Sequence, residues 1–374
     1  MKDYSLVIAS NFLDHYMMSM SLELKKYFKN FHFVSSEKLE ENYKRLGFSD
    51  LNDLDFVVKA YEDKERARKL ILEADYVLTG SYKYQSHIKE RIKNNKETLF
   101  YSERLFKSNN IIGKFLRYIK YIYRHGMDNR SLLLCVSAYT ASDYNSIGLF
   151  KGRTFKWGYF PAVKRYDDVN DLFDSKEDNS IIWCGRFIQW KHPENALYIA
   201  KRLKENSYSF SMKIIGTGEM KNELAKRVEE YNLSDCVTIY GDGMAPEQVR
   251  LHMEKSQIYL FTSDFGEGWG VVLNEAMNSA CAVVASNSAG STPFLIENGI
   301  NGISYDCSNL EELYSSVKSL LDNRKKVKEL AINAYHTISK EWNSEIAAKR
   351  LYAFVNPHNE SKDMFEEGIL SKAR

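Results

Sequence analysis

The sequence predicts an α/β protein built from two domains, each with a parallel sheet. Short β-like runs alternate along the chain with amphipathic helical stretches, which is the pattern of successive βα units. The alternation stops once, at a polar stretch near the middle, and then starts again. The chain has 374 residues, which is too long for one ordinary compact domain and comfortable for two.

The first half of the chain opens with a strand and alternates from there. Strands are predicted at residues 4–10, 31–35, 74–81, 97–103 and 132–138. Helices are predicted at residues 17–28 and 85–95. The run LLLCVSA at 132–138 is apolar throughout, which indicates a buried strand.

A polar, acidic stretch at 156–180 separates the two halves and is interpreted as a linker. Beyond it the alternation resumes. Strands are predicted at residues 180–187, 210–218, 236–241, 258–263 and 281–288. Helices are predicted at residues 193–206, 219–231, 246–255, 271–280 and 309–321. Two such halves suggest two Rossmann-like domains with a cleft between them.

The domain boundaries follow from the linker. We predict an N-terminal domain at 1–163 and a C-terminal domain at 164–355. Residues 356–374 are expected to form a tail that can cross back to the N-terminal domain.

Charge is distributed unevenly between the halves. Residues 1–163 hold 27 Lys and Arg against 19 Asp and Glu, a net of +8, and the remainder holds 25 against 31, a net of −6. The whole chain carries a formal charge of only +2, so we expect no nucleic-acid partner. The basic first half and acidic second half suggest different partners for the two domains.

Cysteine usage and hydropathy predict a cytoplasmic location. The five cysteines lack CxxC spacing and most lie in apolar runs, which favours buried reduced thiols over metal ligands. The first residues contain too short an apolar run for a signal peptide, and no stretch approaches the roughly 20 apolar residues of a membrane span. The inner face of the cytoplasmic membrane stays open as a site of action.

The stretch FGEGWGVVLNEAM at 265–277 is the first candidate site. It follows a predicted strand, and three glycines in five residues permit tight turns and close approach of backbone to a ligand. The helix start near Gly268 to Val271 can bind an anion such as a diphosphate. Glu267 and Glu275 flank it and can accept hydroxyl hydrogen bonds. The alternative is an ordinary βα turn with two structural glutamates.

A second candidate site lies at WCGRFIQWKHPEN, 183–195. Arg186 and Lys191 follow the end of a predicted strand, where ligands bind in open α/β sheets. Two cations at that position suit a diphosphate leaving group, although a surface Arg and Lys would give the same pattern. The Gly216-Thr217-Gly218 turn after the next strand is a weak signal because it lacks the third glycine of a dinucleotide fingerprint.

Taken in order, these motifs resemble a known family. The segments are Gly185-Arg186 with Lys191, the 216–218 turn, Glu267 with Glu275, and SAGSTPFLIENGINGISYD at 288–306. Their order and spacing are similar to the retaining sugar-nucleotide glycosyltransferases of family four, the glycosyl transferases group 1, over roughly residues 175–350. TLFYSERLF and FKWGYFP in the first half look like a bacterial surface-polysaccharide branch of that family.

The resemblance implies a GT-B fold and a nucleoside-diphosphate sugar as donor substrate. It implies that Arg186 and Lys191 hold the donor diphosphate, that Glu267 contacts the transferred sugar, and that Glu275 contacts the ribose. The predicted catalytic residues are Glu267, Arg186 and Lys191. The predicted donor-binding residues are Glu275, Gly268, Trp269, Gly270, Val271, Gly216 and Gly185. No cofactor and no metal are expected, because two cations and a helix start can neutralise the leaving diphosphate.

Three departures from the family pattern concern substrate contacts rather than the reaction class. Phe294 stands where the family usually has Glu, and Trp269 stands where it usually has Phe. The usual glycine pair near the N-terminus is replaced by SNFLDHYMMS. The donor sugar and the acceptor are therefore left open, with a glycan or a lipid-linked acceptor expected.

Residues of the first half are candidates for the acceptor side. His15 follows the first strand and would face the cleft, with a structural histidine as the alternative. Glu103 and Arg104 follow another strand and either touch the acceptor or form an internal ion pair, which we favour.

The stretch at 109–130 predicts an amphipathic helix with two interpretations. Apolar residues recur at helical spacing, and Lys114, Arg117, Lys120 and Arg124 occupy other faces. The helix either packs on the core with a solvated basic face, which we favour, or lies on an anionic membrane surface near a lipid-linked acceptor.

Two other function classes stay open. A catalytically silent GT-B subunit could support a partner enzyme, but it would not need all of the four charged motif residues. A nucleotide-sugar epimerase or a dehydrogenase could use similar domains. A dehydrogenase needs GxGxxG after its first strand, and VIASNFLDH at 7–15 lacks it.

Overall fold

The computed structural model describes residues 4–39, 50–107, 111–125, 128–241, 244–356 and 363–374, without the side chains of 111, 112 and 114. The chain forms two compact units. Unit 1 comprises Met1–Ala162 and Trp342–Arg374, and unit 2 comprises Val163–Glu341. Both are α/β units with parallel sheets, as the sequence predicts.

Unit 1 contains a seven-stranded parallel sheet. Its strands are β1 (Ser5–Ser10), β2 (Asn30–Ser35), β3 (Val57–Lys59), β4 (Tyr76–Thr79), β5 (Leu99–Ser102), β6 (Leu132–Cys135) and β7 (Thr154–Lys156). Their order is β3-β2-β1-β4-β5-β6-β7. The central strand β1 is buried along most of its length, which explains its continuous apolar run.

Helices cover the sheet of unit 1. They are α1 (His15–Lys25), α2 (Lys64–Glu73), α3 (Gln85–Lys93), α4 (Ile111–His125) and α5 (Thr140–Ser146), with α14 (Ser344–Val355) added from the end of the chain. Asp14 caps α1 by accepting a hydrogen bond from the Met17 amide at 2.7 Å. The sequence analysis did not predict β3, α2, β7 or α14.

Unit 2 contains a six-stranded parallel sheet. Its strands are β8 (Ser180–Cys184), β9 (Ser211–Ile215), β10 (Val237–Tyr240), β11 (Ile258–Phe261), β12 (Ala282–Ser286) and β13 (Ile303–Tyr305). Their order is β10-β9-β8-β11-β12-β13. The strand order reverses between β8 and β11, and in doubly wound sheets ligands bind beyond the carboxyl ends of the strands at that switch point.

Helices also cover the sheet of unit 2. They are α6 (Val169–Asp174), α7 (Pro193–Glu205), α8 (Lys221–Glu230), α9 (Pro246–Lys255), α10 (Val271–Asn278), α11 (Thr292–Leu295), α12 (Leu310–Leu321) and α13 (Arg324–His336). A one-turn 3-10 helix covers Gln189–Lys191 and a π-helix covers Thr337–Glu341. Strand β13 and helices α6, α11 and α13 were not predicted from the sequence.

The end of the chain returns to unit 1 earlier than the predicted boundary at 355. Helix α14 packs there by aromatic contacts, with the Tyr352 ring 5.4 Å from Phe28 and the Phe354 ring 4.8 Å from Phe155. The tail is also held in unit 1, since the Leu370 amide donates to the Lys156 carbonyl at 2.8 Å. The return therefore begins at residue 342 rather than 356.

The stretch predicted as a linker at 156–180 is more structured than the sequence suggests. The junction between the units falls at residues 162 and 163, inside that stretch. Helix α6 follows, and its Phe173 side chain is fully buried in the core of unit 2. The polar composition of the stretch conceals this helix because only one of its faces is apolar.

Candidate functional site

The carboxyl end of β8 and the turn after it are tied to the end of β11. The indole Nε1 of Trp183 donates to Thr262 Oγ1 at 2.7 Å. That hydroxyl lies 2.7 Å from the carbonyl oxygen of Lys191 and 3.0 Å from that of His192. The turn that carries Lys191 is therefore held beside the switch point by the interior of the sheet.

Gly185 and Gly216, in the loops after β8 and β9, allow the backbones of these two loops to come into contact. A Cβ atom on Gly216 would lie 1.8 Å from the carbonyl oxygen of Gly185, and the Gly216 φ of 157° adds a conformation that side chains rarely adopt. The Gly185 amide donates to Ile215 O at 3.0 Å in the same region. Both predicted glycines therefore lie at the carboxyl ends of β8 and β9, where they allow the loops to meet.

Gly216→Ala is expected to lower the free energy of unfolding by about 3 kcal/mol, because the new Cβ would clash with backbone rather than with a movable side chain. Urea denaturation measures the change. Gly299→Ala is the control: Gly299 also has a positive φ, but its Cβ would meet nothing within 4 Å. Equal losses in the two variants would contradict the close approach.

Lys191 and Glu267 form an ion pair. Lys191 Nζ donates to Glu267 Oε2, and each side chain is only 12% exposed. The Ser263 hydroxyl donates to the same carboxylate oxygen at 3.3 Å. The structure thus brings together the residue predicted to bind the diphosphate and the residue predicted to contact the sugar. Each holds the other in position at the end of the sheet.

The loop from Gly268 to Val271 leads directly into α10. Gly270 is the residue before the helix, with a φ of 87°, and a Cβ there would lie 2.3 Å from the Phe261 ring. Trp269 is buried and its indole donates to Asn274 Oδ1 at 2.8 Å. The N-cap residue Gly270 has no side chain with which to cap the start of α10. The first amides of the helix, starting at Val271, are therefore available to an anion.

Glu275 lies in α10 with no side-chain hydrogen bond to any residue that the structure describes. Burial raises the pKa of Glu275, and the nearby Arg250 opposes this effect. Burial also raises the pKa of the Cys184 thiol to about 12, with a smaller contribution from the Glu275 charge. Glu275 therefore lies close to the carboxyl end of β8, as a poorly solvated carboxylate that hydroxyl donors of a ligand would stabilise.

Glu275→Gln is expected to weaken nucleotide binding by about 1.5–3 kcal/mol, roughly ten- to hundredfold in Kd, because it removes a charged hydrogen-bond acceptor. The same change should stabilise the ligand-free protein. A raised folded-state pKa means that wild-type stability falls as pH rises from the ordinary glutamate pKa through the raised one. The glutamine variant lacks this loss, so its advantage should grow across that window and persist at neutral pH.

Calorimetric titration and urea denaturation at several pH values measure the two effects of Glu275→Gln. Glu247→Gln is the matched control, since Glu247 is an exposed carboxylate in the first turn of α9. An unchanged nucleotide Kd would exclude Glu275 from the binding site. A stability gain that is the same at all pH values would contradict the raised pKa.

Arg186 stands apart from the ion pair. Its side chain is exposed and its guanidinium carbon lies 5.5 Å from the centre of the Trp190 ring, which is itself 39% exposed. It forms no ion pair with a residue in the described part of the chain. Arg186 is therefore a cation free to bind a ligand phosphate, held near the end of β8 by stacking on Trp190.

The sequence analysis missed a charged cluster around His192. His192 Nδ1 lies 2.8 Å from Glu194 Oε1, and His192 Nε2 lies 3.1 Å from Asp264 Oδ2. The hydrogen bond to Glu194 raises the pKa of His192 most, burial lowers it, and Asp264 raises it further. Trp190 was missed as well. Both residues stand in the predicted WKHPEN turn, so proximity to Lys191 was the available signal.

Residues 166–337, nearly all of unit 2, match the family of glycosyl transferases group 1. Over 316 residues, the chain is 24% identical to the N-acetylgalactosamine-N,N'-diacetylbacillosaminyl-diphospho-undecaprenol 4-alpha-N-acetylgalactosaminyltransferase of Campylobacter jejuni, covering 79% of this chain and 78% of that protein. Unit 2 therefore contains a group 1 glycosyltransferase domain, and the chain is a glycosyltransferase.

A second relative and a solved structure are also similar to this glycosyltransferase. The amylovoran biosynthesis glycosyltransferase AmsK of Erwinia amylovora is 27% identical over 46% of this chain and 43% of its own. The solved structure of HepE from Anabaena in complex with UDP is 14% identical, covers 94% of this chain and 98% of that chain, and has a TM-score of 0.68. The fold likeness confirms the predicted GT-B architecture of two Rossmann-like domains.

The two departures from the family pattern in unit 2 of this glycosyltransferase lie side by side. The Trp269 and Phe294 rings have centroids 6.3 Å apart. The loops that carry them are joined by backbone, since the Gly290 amide donates to the Glu267 carbonyl at 3.3 Å. Phe294, which replaces the usual Glu, therefore lies next to the indole ring of Trp269, which replaces the usual Phe.

The predicted acceptor-side residues lie in unit 1 of the glycosyltransferase. His15 begins α1, is exposed, and its ring lies 3.8 Å from that of Tyr16. Glu103 pairs with Lys107, and Arg104 Nε lies 3.6 Å from Asp143 Oδ2. Glu103 and Arg104 thus each form an ion pair with another residue rather than with each other.

Helix α4 differs from the core-packing interpretation that we favoured for 109–130. Tyr121 and Ile122 pack on the core and His125 is buried. Most of the other apolar side chains are exposed: Phe115, Leu116, Tyr118, Ile119 and Tyr123. The apolar contacts of the helix with the core are made by its C-terminal turns. The side chain of Lys114, one of the four cations named in the sequence analysis, lies outside the described set.

None of the helices within the described residues of this glycosyltransferase has the length and apolar character to cross a membrane. No group of three or more His, Cys, Asp or Glu side chains that could hold a metal ion occurs in the same part of the chain.

Proposed function

We propose that the enzyme transfers a sugar from a nucleoside-diphosphate sugar to a hydroxyl of a glycan or lipid-linked acceptor, with retention, in cell-surface polysaccharide synthesis. One observation carries the proposal. Two cations, Arg186 and Lys191, and the uncapped start of α10 lie at the carboxyl ends of neighbouring strands of unit 2. Such a group of positive charges fits a leaving diphosphate.

The reaction proceeds by attack on the face that the diphosphate leaves. The bond between the anomeric carbon and the donor phosphate oxygen breaks, and that oxygen takes the proton of the acceptor hydroxyl. The acceptor oxygen then bonds to the anomeric carbon on the same face, which retains its configuration. Arg186, Lys191 and the start of α10 stabilise the negative charge that develops on the phosphate. Glu267 positions both the sugar and Lys191.

The relatives support the acceptor class. The name of the Campylobacter jejuni relative specifies a diphospho-undecaprenol acceptor and an alpha linkage. A Staphylococcus aureus relative, 24% identical over 43% of this chain and 32% of its own length, is a poly(ribitol-phosphate) alpha-N-acetylglucosaminyltransferase. An alpha product formed from an alpha-linked donor requires retention. We therefore propose an anionic acceptor for the enzyme, and the inner face of the cytoplasmic membrane as its site of action.

A panel of nucleotide sugars tests the proposal. Release of nucleoside diphosphate is measured with and without lipid-linked acceptor, in a chelator and again with added Mg²⁺. We expect release from one donor that increases with acceptor and does not require the metal, because protein cations neutralise the leaving group. The coupling constant of the anomeric proton of the product reports retention. A reaction without enzyme serves as the blank.

Each alternative function predicts a different result from the same panel. A catalytically silent subunit would release no nucleoside diphosphate from any donor. An epimerase would invert the configuration of one carbon of the donor sugar. It would leave the bond between the sugar and the diphosphate unbroken. Inversion at the anomeric carbon would contradict the front-face reaction but leave the transferase assignment standing.

A further inference from the structure

Two loops of unit 2 carry the ion pair of Lys191 and Glu267, and their backbones are joined. The first loop follows β8 and ends at His192, and the second follows β11 and leads into α10. The Asp264 amide donates to the Trp190 carbonyl at 2.9 Å, and the Glu267 amide donates to the Asp264 carbonyl at 3.1 Å. Glu267 therefore closes a tight turn that begins at Asp264.

The Asp264 carboxylate has partners on both loops. Its Oδ1 accepts the Gly266 amide at 2.6 Å, inside the same turn. Its Oδ2 lies 3.1 Å from His192 Nε2, on the other loop. His192 Nδ1 lies 2.8 Å from Glu194 Oε1, in the first turn of α7. His192 thus connects the start of α7 to the turn that places Glu267.

Both ring nitrogens of His192 must carry a proton to form these two contacts as hydrogen bonds. An ionised carboxylate only accepts, and a neutral imidazole has a single N–H to donate. The imidazolium donates from both nitrogens, and hydrogen bonds between opposite charges are the stronger kind. The contacts with Glu194 and Asp264 are therefore hydrogen bonds at the same time only while His192 is protonated.

The charged groups around His192 favour the protonated ring. Glu194 faces it from α7 and Asp264 faces it from the loop after β11, while the neighbouring ammonium of Lys191 is paired with Glu267. The other oxygen of Glu194, Oε2, is buried without a hydrogen-bond partner among the described residues, so the imidazolium is the group that compensates this carboxylate. The net effect of these groups is a pKa of His192 above its ordinary value.

The backbone of His192 also points to a role for its side chain. Its φ of 49° and ψ of 53° are left-handed, which is uncommon for a residue other than glycine. A glycine would adopt this conformation more easily, and it would have no ring to contact the carboxylates. The two hydrogen bonds of the imidazolium offset the cost of this backbone.

We propose that His192 is a positioning residue: its imidazolium fixes the turn of Glu267 against the start of α7, so that Glu267 and Lys191 are in place for the donor. The inference rests on the proposed function, because it assigns these two residues to the donor. Loss of the proton removes one of the two hydrogen bonds and leaves the turn less firmly held. His192 acts through this turn and has no contact of its own with the reacting atoms.

The pH dependence of turnover at saturating donor tests the proposal. Both hydrogen bonds are present below the raised pKa of His192 and one is lost as pH rises through it. Release of nucleoside diphosphate by wild type should therefore fall about tenfold along a basic limb at that pKa, the scale of one charged hydrogen bond. The donor diphosphate does not titrate in this range, because each of its phosphates has only one, strongly acidic, ionisation.

Two variants separate positioning from a merely structural role. His192→Asn removes the ring and introduces a residue that tolerates the left-handed backbone. Its turnover should be about tenfold below that of wild type at low pH and should lack the basic limb. Glu194→Gln keeps a hydrogen-bond acceptor but removes its charge, so the basic limb should move to lower pH. A merely structural contact would not move the limb.

The matched control is His252→Asn, which removes another partly buried histidine of unit 2, in α9. It should leave the basic limb of wild type in place. NMR of isotope-labelled imidazole rings measures the titration of His192 directly, with its signal assigned by its loss in His192→Asn. The midpoint should lie above the ordinary histidine pKa and coincide with the basic limb.

Three outcomes would overturn the inference: a basic limb that survives in His192→Asn, a limb that does not move in Glu194→Gln, or a His192 midpoint at or below the ordinary pKa. If circular dichroism shows that His192→Asn is unfolded, the profile of Glu194→Gln and the wild-type titration of the imidazoles still decide. Failure of the proposed function is distinguishable: no donor would then release nucleoside diphosphate at any pH, while the NMR midpoint of His192 would still be raised.

Discussion

Lys191→Ala is expected to lower turnover about a hundredfold, the scale for removing one preorganised charge stabiliser. The ammonium is held beside Glu267 with little exposure. It is therefore already in place before the reaction begins. Its loss also leaves the Glu267 carboxylate unpaired next to the donor diphosphate. Steady-state release of nucleoside diphosphate at saturating donor measures the change.

Lys204→Ala is the matched control for Lys191→Ala. Lys204 also pairs with a carboxylate in unit 2, that of Asp235, but on the surface, where such pairs contribute little. Turnover near the wild-type level in Lys191→Ala, with the fold intact by circular dichroism, would remove Lys191 from the catalytic site. The variant Lys191→Ala, Glu267→Gln separates the two causes, because it restores neutrality without the cation.

Arg186→Ala is expected to have a loss of similar size, about a hundredfold in turnover. Arg186 is an exposed cation without an ion-pair partner among the described residues, so its charge is fully available to the ligand. Arg186→Lys should remain impaired, because a point charge replaces a planar group that both stacks on Trp190 and contacts phosphate with two N–H groups.

The control for Arg186 is Arg227→Ala, which breaks an ion pair with Glu223 within one turn of α8. It should leave turnover unchanged. If Arg186→Lys restores full turnover, then charge alone is needed and the stacking on Trp190 has no catalytic consequence. If Arg186→Ala is fully active, the phosphate-binding role is wrong.

The sequence alone located five of the six strands of unit 2 and most of its longer helices. Those strands are short apolar runs, three of them followed directly by glycine, and the helices between them carry one apolar face, so periodicity locates both. The motif residues Arg186, Lys191, Glu267 and Glu275 were found for the same reason: each follows a strand end or lies in the helix after it. A parallel sheet brings such positions to one edge.

Elements with weaker patterns were not predictable in this way. Strand β3 has three residues, too few for a period to be recognised. Helix α6 is six residues long within a polar stretch, so its buried Phe173 gave no pattern. In the cluster of His192, Glu194 and Asp264, His192 and Asp264 are 72 positions apart in the sequence. A local sequence pattern cannot predict such a contact.

Chain composition and periodicity thus determined the fold class, the two sheets and the side chains that follow the strands. Only the tertiary structure decided which surface each amphipathic element covers. Helix α14 has an apolar face that either unit could have used, and its aromatic contacts with Phe28 and Phe155 place it in unit 1. Helix α4 has the pattern of a core helix, yet most of its apolar residues face outward. The physical reason is that periodicity specifies an apolar face but not its partner, which depends on the shape and charge of the surface beside it.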